Sequence, residues 1–195
     1  MIRNVVLAGV GGQGLLSIAA VLGEAARGEG LHLKQAEVHG MAQRGGSVQS
    51  HVRYGDRPIH SDLIREGTAD LILSLEPMEA LRYVPFLAPD GALVTSADPV
   101  ENIPDYPEMA GLRLEIERMA DHLLIDANVL AKKAGTLRCA NMVMLGAGAP
   151  FLGLRESALL GAIEAVFREK GSPIIETNVR AFRLGQEAAE SGGSE

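Results

Sequence analysis

The groups best suited to chemistry in this sequence gather in two short glycine-rich stretches. The first, Gly9-Val10-Gly11-Gly12-Gln13-Gly14, fits the pattern G-x-G-x-x-G. Glycines allow a sharp turn and close backbone approach there, and free N–H groups at the start of a following helix favour a phosphate. The second runs from Glu37 to Ser47 as EVHGMAQRGGS, with an acid, His39, Arg44 and three glycines in eleven residues. Arg44 followed by Gly45-Gly46 joins a guanidinium suited to phosphate or carboxylate to a backbone able to bend closely around something. The candidate binding residues are therefore Gly9, Gly11, Gly12, Gln13, Gly14, Arg44, Gly45 and Gly46.

On the residues alone, three uses of the first loop stay open. A dinucleotide would need an acidic residue about 20 positions on, at the end of the second strand, where Glu37 is available. Alternatively the glycines only let the first helix pack tightly on the sheet. Or they admit another phosphate-bearing ligand, or a partner's backbone. The second loop could equally be a plain turn with incidental charges.

Other polar residues have blander readings beside the functional ones. Asn141 and Asn178 fall on predicted helices, and a buried Asn needs partners, either nearby backbone or a ligand. His51 and Arg53 are expected to face solvent or an interface, and Cys139 to be a small buried filler. No metal-ligand spacing is present: His32, His39, His51, His60 and His122 are scattered.

The elements that must position these residues follow from hydrophobic patterning. An unbroken apolar run at 4–8 reads as a strand buried on both faces, ended by the glycine loop and followed by a helix over 15–27. A strand over 31–36 precedes the second loop. Residues 47–54 alternate: Val48, Ser50, Val52 and Tyr54 on one face, Ser47, Gln49, His51 and Arg53 on the other. That strand could run antiparallel to its neighbours. Further strands are predicted at 69–75, 92–95 and 123–126, with a helix from Glu76-Pro77 to about 87. Pro99 to Gly111 reads as an excursion. Helices then follow at 129–134, 139–145, 156–170 and 174–188, and the tail 191–195 is expected to be disordered. The pattern predicts one domain over 1–190: a three-layer α/β/α sandwich with a mainly parallel, Rossmann-like sheet and a helical C-terminal third.

Composition bounds the function. Hydrophobic residues make up 47% and charged residues 22% of 195, as in an ordinary soluble globular protein. A net charge of -7 argues against nucleic acid. One cysteine excludes an internal disulfide and an iron–sulfur cluster with four cysteines of this chain. The apolar run at 5–10 is too short for a signal peptide or membrane span, so a cytoplasmic location is expected.

Taken together, GVGGQG at 9–14 and EVHGMAQRGGSV at 37–48 resemble the small subunit, or gamma domain, of the 2-oxoacid:ferredoxin oxidoreductase family, and most of all the beta subunit of its indolepyruvate type. ANMVMLG at 140–146 and NVRAFRLG at 178–185 agree, and the resemblance covers 1–187. It implies a complex that oxidatively decarboxylates a 2-oxoacid, attaches the acyl group to coenzyme A and passes electrons to ferredoxin. It places thiamine diphosphate and the iron–sulfur clusters on a large catalytic partner, in keeping with a chain that lacks the Gly-Asp-Gly…Asn-Asn thiamine pattern. This chain would hold none of these alone and be inactive alone. Coenzyme A at the interface and self-association both stay open. The rival readings are a stand-alone NAD(P)-dependent oxidoreductase and a non-catalytic scaffold subunit.

Overall fold

The computed structural model describes residues 1–39 and 46–192. Among them, one sheet contains β1 (Ile2–Val10), β2 (His32–His39), β3 (Ser47–Gly55), β4 (Ala69–Ser74), β5 (Leu87–Ser96) and β6 (His122–Ile125). The spatial order is β2-β3-β1-β4-β5-β6. β1, β4, β5 and β6 pair in parallel. β3 lies antiparallel between β1 and β2, with Val10 opposite Ser47 and His39 opposite Val48. The reason is length: the stretch joining β2 to β3 is too short for the crossover of a dozen or more residues that a parallel partner requires. The fold is therefore the expected α/β sandwich with one antiparallel insertion.

Helices cover both faces. α1 (Leu15–Gly28), α4 (Ala127–Ala134), α5 (Ala140–Leu152), α6 (Glu156–Phe167) and α7 (Ser172–Glu190) lie on one side. There Val5, Leu7, Leu71, Leu73 and Val94 meet Ile18, Leu22, Met142 and Phe182. The opposite layer is thinner, with α2 (Pro77–Arg82) and α3 (Met109–Glu117). Their Ala80 and Ile116 cover Val6, Ala8, Ile72 and Leu93. None of the described helices is long and apolar enough to cross a membrane.

Several expected boundaries move, each for a local reason. The helix expected from Glu76 to about Leu87 stops at Arg82 and gives way to a single 3-10 turn over Val84–Phe86. Pro85 supplies no N–H and disfavours helical backbone in the residue before it. The strand expected at 92–95 starts earlier, at Leu87, and Asp90-Gly91 forms an irregularity within β5, whose pairing with β4 shifts register between Ala69 and Leu71. α3, which begins at the end of the proline-rich excursion and runs beyond it, buries Leu112 and Ile116 at helical spacing.

α5 runs on past Leu145 to Leu152. Gly146 reads as a breaker in sequence but is a contact point in space: a Cβ there would lie 1.9 Å from the Phe182 carbonyl oxygen, and one on Gly185 would lie 1.9 Å from that of Val143. Two helices cross backbone to backbone at this pair. At the end of α7, the amides of Ser191 and Gly192 donate back to the carbonyls of Glu187 and Ala189 and so close the helix. Residues 193–195 lie outside the described residues.

Candidate functional site

The first glycine loop joins the carboxyl end of β1 to α1. Gly12 and Gly14 take φ of +101° and +91°, values that only glycine adopts readily. Gln13 braces the turn. Its Oε1 accepts the Val10 N–H at 2.7 Å, and its Nε2 donates to the Leu75 carbonyl at 2.9 Å, tying the loop to the end of β4. Gly9 belongs to β1, and a Cβ there would meet both Gln13 Oε1 and Leu15 Cδ1 at 2.8 Å. The Gly11 amide is engaged as well, donating to the Gly46 carbonyl at 2.9 Å. Among the described residues, that leaves the amides of Gly12 and Gly14 without a hydrogen-bond acceptor.

The two glycine-rich stretches thus meet at one rim, through Gly11 and Gly46. Arg44 and Gly45 lie outside the described residues. Ser47, just after the second loop, is well held: its hydroxyl donates to the buried carboxylate of Glu79 at 2.6 Å, with the Tyr83 hydroxyl 3.2 Å away.

This rim opens on a cleft of about 630 Å³ at the carboxyl ends of the parallel strands. Ligands of open α/β sheets bind where neighbouring strands send their connections to opposite faces. β1 and β4 meet that condition, since α1 and α2 lie on opposite layers. Gly12, Gly14 and Ser17 form one side of the cleft; Leu75, Ser96, Asp98 and Asn128, at the ends of β4, β5 and β6, form its floor. Thr136 to Asn141 and the α7 residues Ile174, Thr177 and Asn178 close the far side.

Asn141 joins the two sides. Its Nδ2 donates to the Gly14 carbonyl at 3.2 Å and its Oδ1 accepts the Met142 amide at 3.0 Å. The blander expectation, that this Asn holds the backbone of a turn, holds for Asn141. Asn178 donates Nδ2 to the Ile174 carbonyl one turn back in its own helix, at 2.8 Å, and lines the cleft. Cys139 is buried at the cleft wall, as expected of a filler. Burial pushes its thiol pKa up, and its S–H donates to the Thr136 carbonyl at 2.9 Å.

Among the described residues, two cations and one carboxylate line the cleft. Arg138 and Lys170 stand at its mouth, with the Lys170 ammonium 5.1 Å from the centre of the Phe167 ring. Neither forms an ion pair among the described residues. The one carboxylate lining the cleft, Asp98, accepts from Ser96 Oγ at 2.9 Å and the Asn128 amide at 2.8 Å. The cleft therefore presents unpaired positive charge, in a chain whose net charge is -7. Sequence reading missed Ser96, Asp98, Asn128, Arg138 and Lys170. The available signal was their position just after the ends of strands and helices that converge on one edge.

Two expectations are corrected. His51 was expected at solvent or an interface but is 6% exposed under the thinner helical layer. Its Nδ1 accepts the Ile64 amide at 3.0 Å, and its ring meets Phe86 edge-on at 5.3 Å. Arg53 is half-buried and donates to Asn4 Oδ1 and to the carbonyls of Ser61 and Leu63. Glu37, the acid that a dinucleotide would require, lies on β2 with β3 between it and β1. At roughly 4.8 Å per strand, that sets it about 10 Å sideways from β1, out of register with a ribose beside the glycine loop.

Comparison with known proteins agrees with the geometry. The family model for pyruvate ferredoxin/flavodoxin oxidoreductase matches residues 4–188. The indolepyruvate oxidoreductase subunit IorB of Pyrococcus horikoshii is 39% identical over 96% of both chains. Among solved structures, the gamma subunit of a keto/oxoacid ferredoxin oxidoreductase from Geobacter sulfurreducens matches with a TM-score of 0.71 at 27% identity, covering 97% of this chain and 99% of that one. The 2-oxoglutarate:ferredoxin oxidoreductase of Magnetococcus marinus, solved with 2-oxoglutarate, coenzyme A and succinyl-CoA bound, matches with a TM-score of 0.78 at 22% identity; 97% of this chain spans 31% of that one and supports the fold alone. With its sheet, its paired loops and nearly its whole length accounted for, this chain belongs to the pyruvate ferredoxin/flavodoxin oxidoreductase family.

Proposed function

We propose that this chain is the small subunit of a 2-oxoacid:ferredoxin oxidoreductase of the indolepyruvate type, and that its cleft receives coenzyme A. The observation that carries the reading is the unpaired positive charge of Arg138 and Lys170 at the mouth of a cleft on the ligand-binding edge of the sheet. Coenzyme A carries phosphates at one end and a long, mostly uncharged arm at the other. Arg138 and Lys170 suit the phosphates, with the Gly12 and Gly14 amides as further donors. Asn128, Asn178 and Thr177 suit the amides of the arm. In its reaction the coenzyme supplies the thiol that accepts the acyl group. This chain would bind and orient it and exclude water.

Thiamine diphosphate and iron–sulfur clusters do not fit the described residues. Cys139 is the one cysteine and is buried, and no described His, Cys, Asp and Glu cluster in a group able to hold a metal. The decarboxylation and electron transfer to ferredoxin therefore belong to a large partner subunit in this reading. Leu137 and Ile174 line the cleft yet are 49% and 41% exposed, and Leu16, beside Ser17, is 58% exposed. An apolar rim around a charged mouth is suited to burial against that partner. Arg44 and Gly45 keep their expected role in this reading, a contact to phosphate or partner; Gly46 meets the first loop through Gly11, and Gly9, Gly11 and Gln13 shape that loop from within.

The test uses the complex assembled with its large subunit. Arg138→Ala and Lys170→Ala should each raise KM for coenzyme A about tenfold, the lower end of a charge-assisted contact. The maximal rate at saturating coenzyme A and KM for the 2-oxoacid should stay unchanged. If both variants leave the coenzyme A dependence as in wild type, the cleft is not its site.

A further inference from the structure

Glu76 stands at the carboxyl end of β4 and is fully buried. A buried carboxylate needs strong partners, and those of Glu76 among the described residues are all neutral donors. Its Oε2 accepts the Glu79 amide at 2.7 Å and so caps α2. Its Oε1 receives the Tyr106 hydroxyl and faces the Val100 amide at 3.4 Å. Burial, and then the carboxylate itself, push the Tyr106 pKa up, so the phenol keeps its proton and donates.

The two contacts to Oε1 come from the two ends of the proline-rich excursion. Pro99 and Val100 line the cleft, whereas residues 101–105 are exposed. Asp98, just before Pro99, is fixed by Ser96 and by the Asn128 amide in the first turn of α4. Val100 and Tyr106, at the two ends of the stretch, therefore meet on one oxygen of one buried side chain. Glutamine could not reproduce this, since its amide has a single acceptor oxygen where the carboxylate uses both.

On the reading of the cleft as the coenzyme A site, we propose that Glu76 is a positioning residue that fastens residues 100–106 as a strap, holding Pro99 and Val100 in place as one wall of that cleft. It touches no ligand. It acts through the strap, so its loss changes affinity rather than the chemical step.

The decisive variant is Tyr106→Phe, which removes the hydroxyl's contacts to Glu76 and to the Met78 backbone and leaves the Glu76 carboxylate capping α2. In the assembled complex, amide hydrogen exchange over residues 100–106 should quicken at least about tenfold, as expected for losing a hydrogen bond to a charged acceptor. KM for coenzyme A should rise several-fold while the maximal rate stays unchanged. Glu76→Gln should move both readouts the same way and also lower the melting temperature, because it disturbs the cap. Unchanged exchange in Tyr106→Phe would overturn the proposal. So would faster exchange with an unchanged KM in a complex where Arg138→Ala does raise KM. If neither Tyr106→Phe nor Arg138→Ala moves KM, the coenzyme A reading of the cleft has failed, and the positioning role falls with it.

Discussion

The Gly11 amide donates to the Gly46 carbonyl across 2.9 Å, and through that bond the two glycine-rich stretches form a single rim. One consequence is that Gly11 cannot also give its N–H to a ligand. The anion-binding capacity of the first loop narrows to Gly12 and Gly14, which both have positive φ but differ in surroundings.

That difference is measurable. A Cβ on Gly12 would meet nothing within 4 Å, whereas one on Gly14 would lie 2.7 Å from Asn141 Nδ2. Left-handed backbone costs a non-glycine residue about 1–2 kcal/mol. Gly12→Ala should lose about that much stability, and Gly14→Ala about 1–3 kcal/mol more, in the range of overpacking. Combining Gly14→Ala with Asn141→Ala should return part of the excess as a coupling energy. Denaturant melts of wild type, the three single variants and the double variant check this; equal losses for the two glycines would contradict the geometry.

His51 makes stability depend on pH. Burial, followed by the Arg53 charge, lowers its pKa below the usual 6.5, with Asp62 opposing. The unfolded chain therefore binds this proton more readily than the folded one, so stability rises with pH where His51 titrates. This contribution is intact above about pH 6.5, the unfolded pKa. It is lost progressively as pH falls from there towards the lower folded pKa. Protonation would also remove the acceptor for the Ile64 amide. Between pH 7.5 and 5, His51→Gln should lose less stability than wild type. Parallel stability curves would show that His51 does not titrate against folding.

Cys139 should be inert while the chain is folded. Its thiol is buried, its pKa is pushed up by that burial, and thiolate is the reactive form. A disulfide reagent such as DTNB should label it only at the rate of unfolding, with labelling accelerated by denaturant. Stoichiometric labelling of native protein within seconds would mean that the cleft wall opens freely.

Much of this protein was determined by the sequence alone. Strand runs such as Val5 to Ala8 and the alternation from Ser47 to Tyr54 are local patterns, so the sandwich, the antiparallel β3 and the glycine turn could all be read from them. The family was legible in the loop residues for the same reason: tight turns demand particular types at particular places. Tertiary structure alone decided which groups share a site. Arg138, Lys170, Asp98 and Asn128 come from separate segments and meet because parallel strands end on one edge of the sheet. It also decided the fate of ambiguous residues. Gly146 could break a helix or admit a neighbour, and the crossing with Gly185 selects the second. His51 could face water or the core, and the helix and loop laid over β3 bury it. Burial and partnership depend on what arrives from distant parts of the chain, and no local pattern carries that information.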